Sequence, residues 1–132
     1  TFQSVLLINQ GGRFELRPLP NRAQTAPVNG VLADDFDGDG TIDLVVAGNL
    51  FVSEVETGHA DANTGLFLKK DGKKDFAEYN PHLSGLYLPG DVKNIALIRK
   101  SYSGDPYVVV ANNNAPLQVF AVRSSEATRN PQ

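Results

Sequence analysis

Three observations in the sequence predict an all-β fold. Its apolar segments are short, rich in Val, Ile, Leu, Phe and Tyr, and bounded by Gly, Asn, Asp and Pro. No stretch of ten or more residues keeps a 3.6-residue apolar period. A pattern of strand, turn and strand recurs along the chain, which is the mark of antiparallel hairpins laid out in series.

The elements follow in order. Residues 4–9 and 14–18 are predicted as strands joined through Gly11 and Gly12, with Phe14 opening the second. Residues 28–34 and 44–47 flank the acidic stretch "DDFDGDGTID". Residues 66–69 and 76–79 repeat the first hairpin loosely: "LLINQGGRF" lies over "LFLKKDGKKDF". The run Lys69-Lys70-Asp71-Gly72-Lys73-Lys74 reads as a solvated turn. Residues 94–99, 107–111 and 117–122 complete the set, with the Asn112-Asn113-Asn114 turn before the last. The polar tail 124–132, "SSEATRNPQ", is expected to be disordered.

The repeat is clearest where "GTIDLVVAGN" (40–49) lies over "GDPYVVVANN" (104–113), a spacing of 64 residues. Upstream, "NGVLAD" lies over "KNIALI". Two hairpins per repeat make a four-stranded antiparallel unit, and such units in series suggest the blades of a β-propeller. On this count residues 1–123 hold one full blade (28–79) flanked by partial blades at 1–18 and 94–122. The chain is then an incomplete propeller of about two blades, since closed rings need ~4 to 8. The missing blades are expected from the same parent chain or from another copy. The alternative is a β-sandwich whose similar hairpins only look repeated.

Bulk properties narrow the function. The 132 residues suffice for one domain with a core. A net charge of -3 gives no basic footprint for nucleic acid. No apolar run approaches the ~20 residues of a membrane span. The absence of cysteine rules out disulfides, thiol catalysis and thiolate metal sites. The chain lacks methionine and opens on a strand, so it is expected to be a processed or excised piece.

The acidic stretch carries the sharpest chemistry. Asp35, Asp37, Asp39 and Asp43 alternate along a tight loop, with Thr41 between them. Alternate carboxylates in a loop can point at one centre, and a hard cation with 6–8 oxygen ligands suits them. Gly38 and Gly40 permit the sharp turn. Without a cation the carboxylates repel one another. A metal-free Asx turn explains one or two of these aspartates but not four. An EF-hand needs a carboxylate at position twelve of the loop, and that position is Val46.

The pattern D-x-D-x-D-G-x-x-D followed by "LVVAG" resembles the calcium loop of FG-GAP and VCBS repeats, the blades of integrin-α-like propellers. The resemblance implies one structural calcium ion held by the side chains of Asp35, Asp37, Asp39 and Asp43 and by the carbonyl of Thr41. The equivalent positions one repeat later are Arg99, Ser101, Ser103 and Tyr107, which cannot form a second site. It also implies an extracellular, cell-surface or periplasmic setting. The Phe-Gly and Gly-Ala-Pro signatures of the family are absent.

Ligand-face candidates lie in the long connections 50–65 and 80–93, at the end of the strands away from the acidic loop. They are Glu54, Glu56, His59, Asp61 and Tyr87. His59 with Asp61 suggests a second metal site or an acid–base pair, against the simpler reading of a solvated loop. Tyr79 and Tyr87 are either an aromatic patch or edge packing. No nucleophile–base pair is legible, and nothing fixes the separation of Glu54 and Glu56 as glycosidase chemistry requires. The expected function is therefore a non-enzymatic module that binds a protein or glycan ligand or acts as a scaffold. The alternative is a non-catalytic part of a secreted carbohydrate-active or phospholipase-type enzyme.

Overall fold

The computed structural model describes residues 3–51, 58, 60–72, 75–99 and 105–123. Among them nine strands form three antiparallel sheets. A two-stranded sheet pairs β1 (Val5–Asn9) with β2 (Phe14–Pro18). A four-stranded sheet runs in sequence order through β3 (Gly30–Asp34), β4 (Asp43–Ala47), β5 (Leu66–Asp71) and β6 (Asp75–Glu78). A three-stranded sheet follows from β7 (Val92–Arg99), β8 (Pro106–Asn112) and β9 (Gln118–Ala121). The fold is thus all-β with none of the sheets closed. No helix among the described residues is long and apolar enough to cross a membrane.

The predicted strands recur with small shifts at their ends. β3 begins at Gly30 instead of residue 28; just before it, Asn29 donates its side chain to the carbonyls of Asn49 and Val92, at 3.1 and 2.8 Å. β7 begins two residues earlier than expected, at Val92. One short helix, α1 (Pro81–Ser84), interrupts the connection 80–93. Asn80 caps it by accepting from the His82 amide, Pro81 starts it, and Gly85 closes it in the left-handed conformation. His82 thus lies in this short helix and not in a turn, its amide donating to Asn80 Oδ1 at 2.9 Å. The basic run is not simply a turn, since Lys69 and Lys70 lie within β5.

Strand β4 explains the layering. Its residues are all buried, so it reads as a continuous apolar run and not as an alternating one. Val45 and Ala47 face one core with Phe36, Leu88, Val92, Ile95, Val108 and Val110, between the four-stranded and three-stranded sheets. Leu44 and Val46 face a second core with Ala23, Leu66 and Leu68, completed by Leu19, Val28 and Phe76. The first hairpin sits beside that second core. Arg17 reaches Asp75 at 2.7 Å, and the Gln24 side chain ties the Ser4 amide to the 3-10 turn Asn21–Gln24.

The outermost sheets keep an apolar face in solvent. On the hairpin, Leu7 pairs with Leu16, and both are more than half exposed, as is Phe14 on the same face. On the third sheet, Ile98 pairs with Tyr107, and Val119 lies on that face; all three are exposed.

Candidate metal site

β3 ends and β4 begins with a directly opposed pair of aspartates, Asp34 and Asp43. The loop between them is wound tightly around its own carboxylates. Gly38 and Gly40 take positive φ of 80° and 83°, where a side chain would be strained. Asp35 accepts from the amides of Gly38 and Asp39 through Oδ1, at 2.8 and 3.1 Å, and from the Gly40 amide through Oδ2, at 2.9 Å. Asp37 accepts from the Asp39 amide at 3.2 Å. Asp39 accepts from the Thr41 amide at 2.8 Å and from the Thr41 hydroxyl. Those two bonds from Thr41 hold the Asp39 carboxyl below its usual range.

This winding brings three carboxylates together. Asp35, Asp37 and Asp39 each offer an oxygen within 4.8 Å of the others. Asp43, at the start of β4, lies outside that trio but near enough for the charges of Asp37 and Asp39 to act on it. It is fully buried, and its Oδ2 has no hydrogen-bond partner among the described residues. Its Oδ1 accepts only a long bond of 3.4 Å from the Lys70 amide. Burial pushes the Asp43 carboxyl up, and the nearby charges of Asp37 and Asp39 push it further. Thr41 is exposed and bonded to Asp39 through both amide and hydroxyl.

The donor set fits a hard divalent cation. Every side chain offered is a carboxylate, the spacing is compact, and one buried oxygen is orphaned, which costs free energy until something positive meets it. Asp35, Asp37, Asp39 and Asp43 would hold the ion, and it would cancel their mutual repulsion at the junction of β3 and β4.

One member of the site was not foreseen. Lys69 extends from β5 on the same face as Phe67, and its ammonium bonds Asp37 Oδ2 and lies 3.6 Å from Asp39 Oδ2. The bond to Asp37 raises its pKa above the ordinary lysine value. The same nitrogen lies 5.7 Å from the centre of the Tyr79 ring. The signal that could have found it is strand alternation. Leu66 and Leu68 face one core, so Phe67 and Lys69 must face the other side, along β5 toward the loop.

Beside the site a cleft of about 540 Å³ opens between the four-stranded and three-stranded sheets. Phe36, Phe67, Tyr79, Leu86 and Phe120 line it together with Asp37. Phe67 packs edge-on against both Phe36 and Tyr79, at 5.8 and 5.5 Å between ring centres. Tyr79 therefore packs between the sheets.

Glu54, Glu56 and His59 lie outside the described residues. Asp61 and Tyr87 are exposed. Their two connections do meet at the end of β4 opposite the acidic loop, where the Leu88 amide donates to the Thr64 carbonyl at 2.7 Å. Sequence reasoning missed the buried amides there. Asn49 donates to the carbonyls of Asn63 and Gly90, at 2.7 and 2.9 Å, and accepts from the Asn63 amide.

No protein-family model matches the chain, and neither does any curated protein or solved structure.

Proposed function

We propose that the chain is a calcium-stabilised segment of a β-propeller, part of a secreted protein, that works as a protein- or glycan-binding or scaffold module. The observation that carries this reading is the gathering of Asp35, Asp37 and Asp39, with Asp43, whose buried Oδ2 is unpartnered among the described residues, near enough to feel the charges of Asp37 and Asp39. The ion is structural in this reading: it pins β3 to β4, and the opposite end of the sheets, with Asp61 and Tyr87, is left for a ligand.

Strand register supports the blade reading. The pairs Gly30–Ala47, Val31–Val46 and Asp34–Asp43 in β3–β4 have counterparts exactly one repeat on in Asn94–Ala111, Ile95–Val110 and Ile98–Tyr107 of β7–β8. The apolar outer faces at Leu7–Leu16 and Ile98–Tyr107 fit further blades, supplied by the same parent chain or another copy.

Thermal unfolding with calcium and with excess chelator tests the reading, run in parallel on Asp39→Ala. A ligand bound only by the folded state at 100 times its Kd adds ~2.7 kcal/mol. The midpoint of the wild type should rise by several degrees in calcium, and that of the variant should not. A wild-type midpoint indifferent to chelator removes calcium from the account.

A further inference from the structure

The Lys69 ammonium sits where the proposed cation would have to work. It bonds Asp37, lies 3.6 Å from Asp39, and is close enough to Asp43 for their charges to interact. It reaches the loop from a different strand, β5, so it is held there by the sheet and not by the loop's own winding. Calcium binds through 6–8 oxygens at 2.3–2.6 Å and needs the carboxylate oxygens that an ammonium would otherwise occupy. An ammonium is a compact point charge with three donors on a flexible stem, so it can leave. It already stands over the Tyr79 ring, 5.7 Å from its centre, in the cleft that Tyr79 and Asp37 both line, so it can close on that ring as it leaves the carboxylates.

We propose that Lys69 is a tethered counter-cation that competes with the divalent ion for Asp37 and Asp39 and so sets the calcium concentration at which the loop fills. The proposal rests on the calcium reading above and adds a regulator to it. In low calcium, Lys69 neutralises part of the cluster and keeps the loop shaped. When calcium enters, the ammonium withdraws toward Tyr79. Fully buried Asp43, whose Oδ2 the ammonium leaves without a bond, is the ligand that only the metal satisfies.

Calorimetric calcium titrations of the wild type, Lys69→Met and Asp39→Ala test this, alongside amine labelling of the wild type read peptide by peptide. Removing the competing charge should tighten calcium binding about tenfold or more, whereas Asp39→Ala should weaken it. Labelling at Lys69 should rise with calcium while labelling at Lys93 stays constant. In chelator, Lys69→Met should melt below the wild type. Equal or weaker binding by Lys69→Met, or labelling at Lys69 indifferent to calcium in a protein that binds it, overturns the competition and leaves the calcium reading standing. No binding heat from either folded protein overturns both.

Discussion

The guanidinium of Arg99, at the end of β7, bonds the carboxylate of Asp34, at the end of β3. Asp34 also accepts from the Asp35 amide at 2.9 Å, so one carboxylate joins the acidic loop to the neighbouring sheet. Arg99 stands 64 residues after Asp35 in the sequence. Both side chains are partly exposed, so the pair should be modest. A double-mutant cycle with Arg99→Gln and Asp34→Asn, read by urea unfolding, should give a coupling of about 0.2–1 kcal/mol. A coupling of zero would mean that the pair only orients the loop.

Asp43 should be a liability without metal and an asset with it. Asp43→Asn removes a buried charge whose Oδ2 lacks a partner. In chelator the variant should be more stable than the wild type by about 1–3 kcal/mol. In saturating calcium the order should reverse, because a ligand is lost. A variant less stable than the wild type in both conditions would count against a cation at this place.

Asp91 gives a pH dependence of definite sign. It is buried beside β7, paired with Lys93 at 2.7 Å and accepting from Asn113 at 3.1 Å. The ion pair with Lys93, helped by the hydrogen bond from Asn113, outweighs burial and holds its carboxyl below the ordinary value. A carboxyl depressed in the folded state stabilises the fold above the unfolded pKa of ~3.9, and that stability is lost as pH falls through the lower folded value. Asp91→Asn should therefore melt below the wild type near neutrality, and the gap should narrow as pH falls below about 4. Melting curves from pH 7 down to pH 3 decide it (both within an ordinary titration range); a constant gap would mean the loss is one of packing.

Gly48 follows β4 at a close backbone approach. A Cβ there would lie 2.3 Å from the Pro27 carbonyl oxygen and 2.5 Å from the Asn29 amide nitrogen, neither of which can move aside easily. Gly48→Ala should cost about 1–3 kcal/mol by overpacking. Gly58→Ala meets nothing within 4 Å and is the matched control, expected to be near neutral. Equal urea midpoints for the two variants would contradict the approach.

The outer faces make a prediction about association. If Leu7–Leu16 and Ile98–Tyr107 seat further blades, the chain alone should self-associate as its concentration rises, and Leu16→Glu should reduce this. Sedimentation across a concentration series reads it directly. A wild type that stays monomeric throughout would favour blades from the parent chain over those of another copy.

Much of this architecture was legible because it depends on near neighbours. The aspartate spacing and the two glycines define the loop locally, and the unbroken apolar run at 44–47 announces a strand buried on both sides. What escaped was set by tertiary position. Lys69 belonged to a lysine-rich run that looked like solvent, and only the pairing of β5 beside β4 carries it to Asp37. Asn49 and Asn63 lie 14 residues apart, and no local pattern marks them as partners in a buried amide cluster. The single turn α1 is too short for any periodicity to reveal it.

Strand β4 contributes side chains to both cores, Val45 and Ala47 to one and Leu44 and Val46 to the other. Neither core can open without releasing the strand that completes the other. The four-stranded and three-stranded sheets should therefore lose structure together, despite their serial layout. In native-state hydrogen exchange the amides of β4 should exchange only through global unfolding, with one free energy shared by the four-stranded and three-stranded sheets.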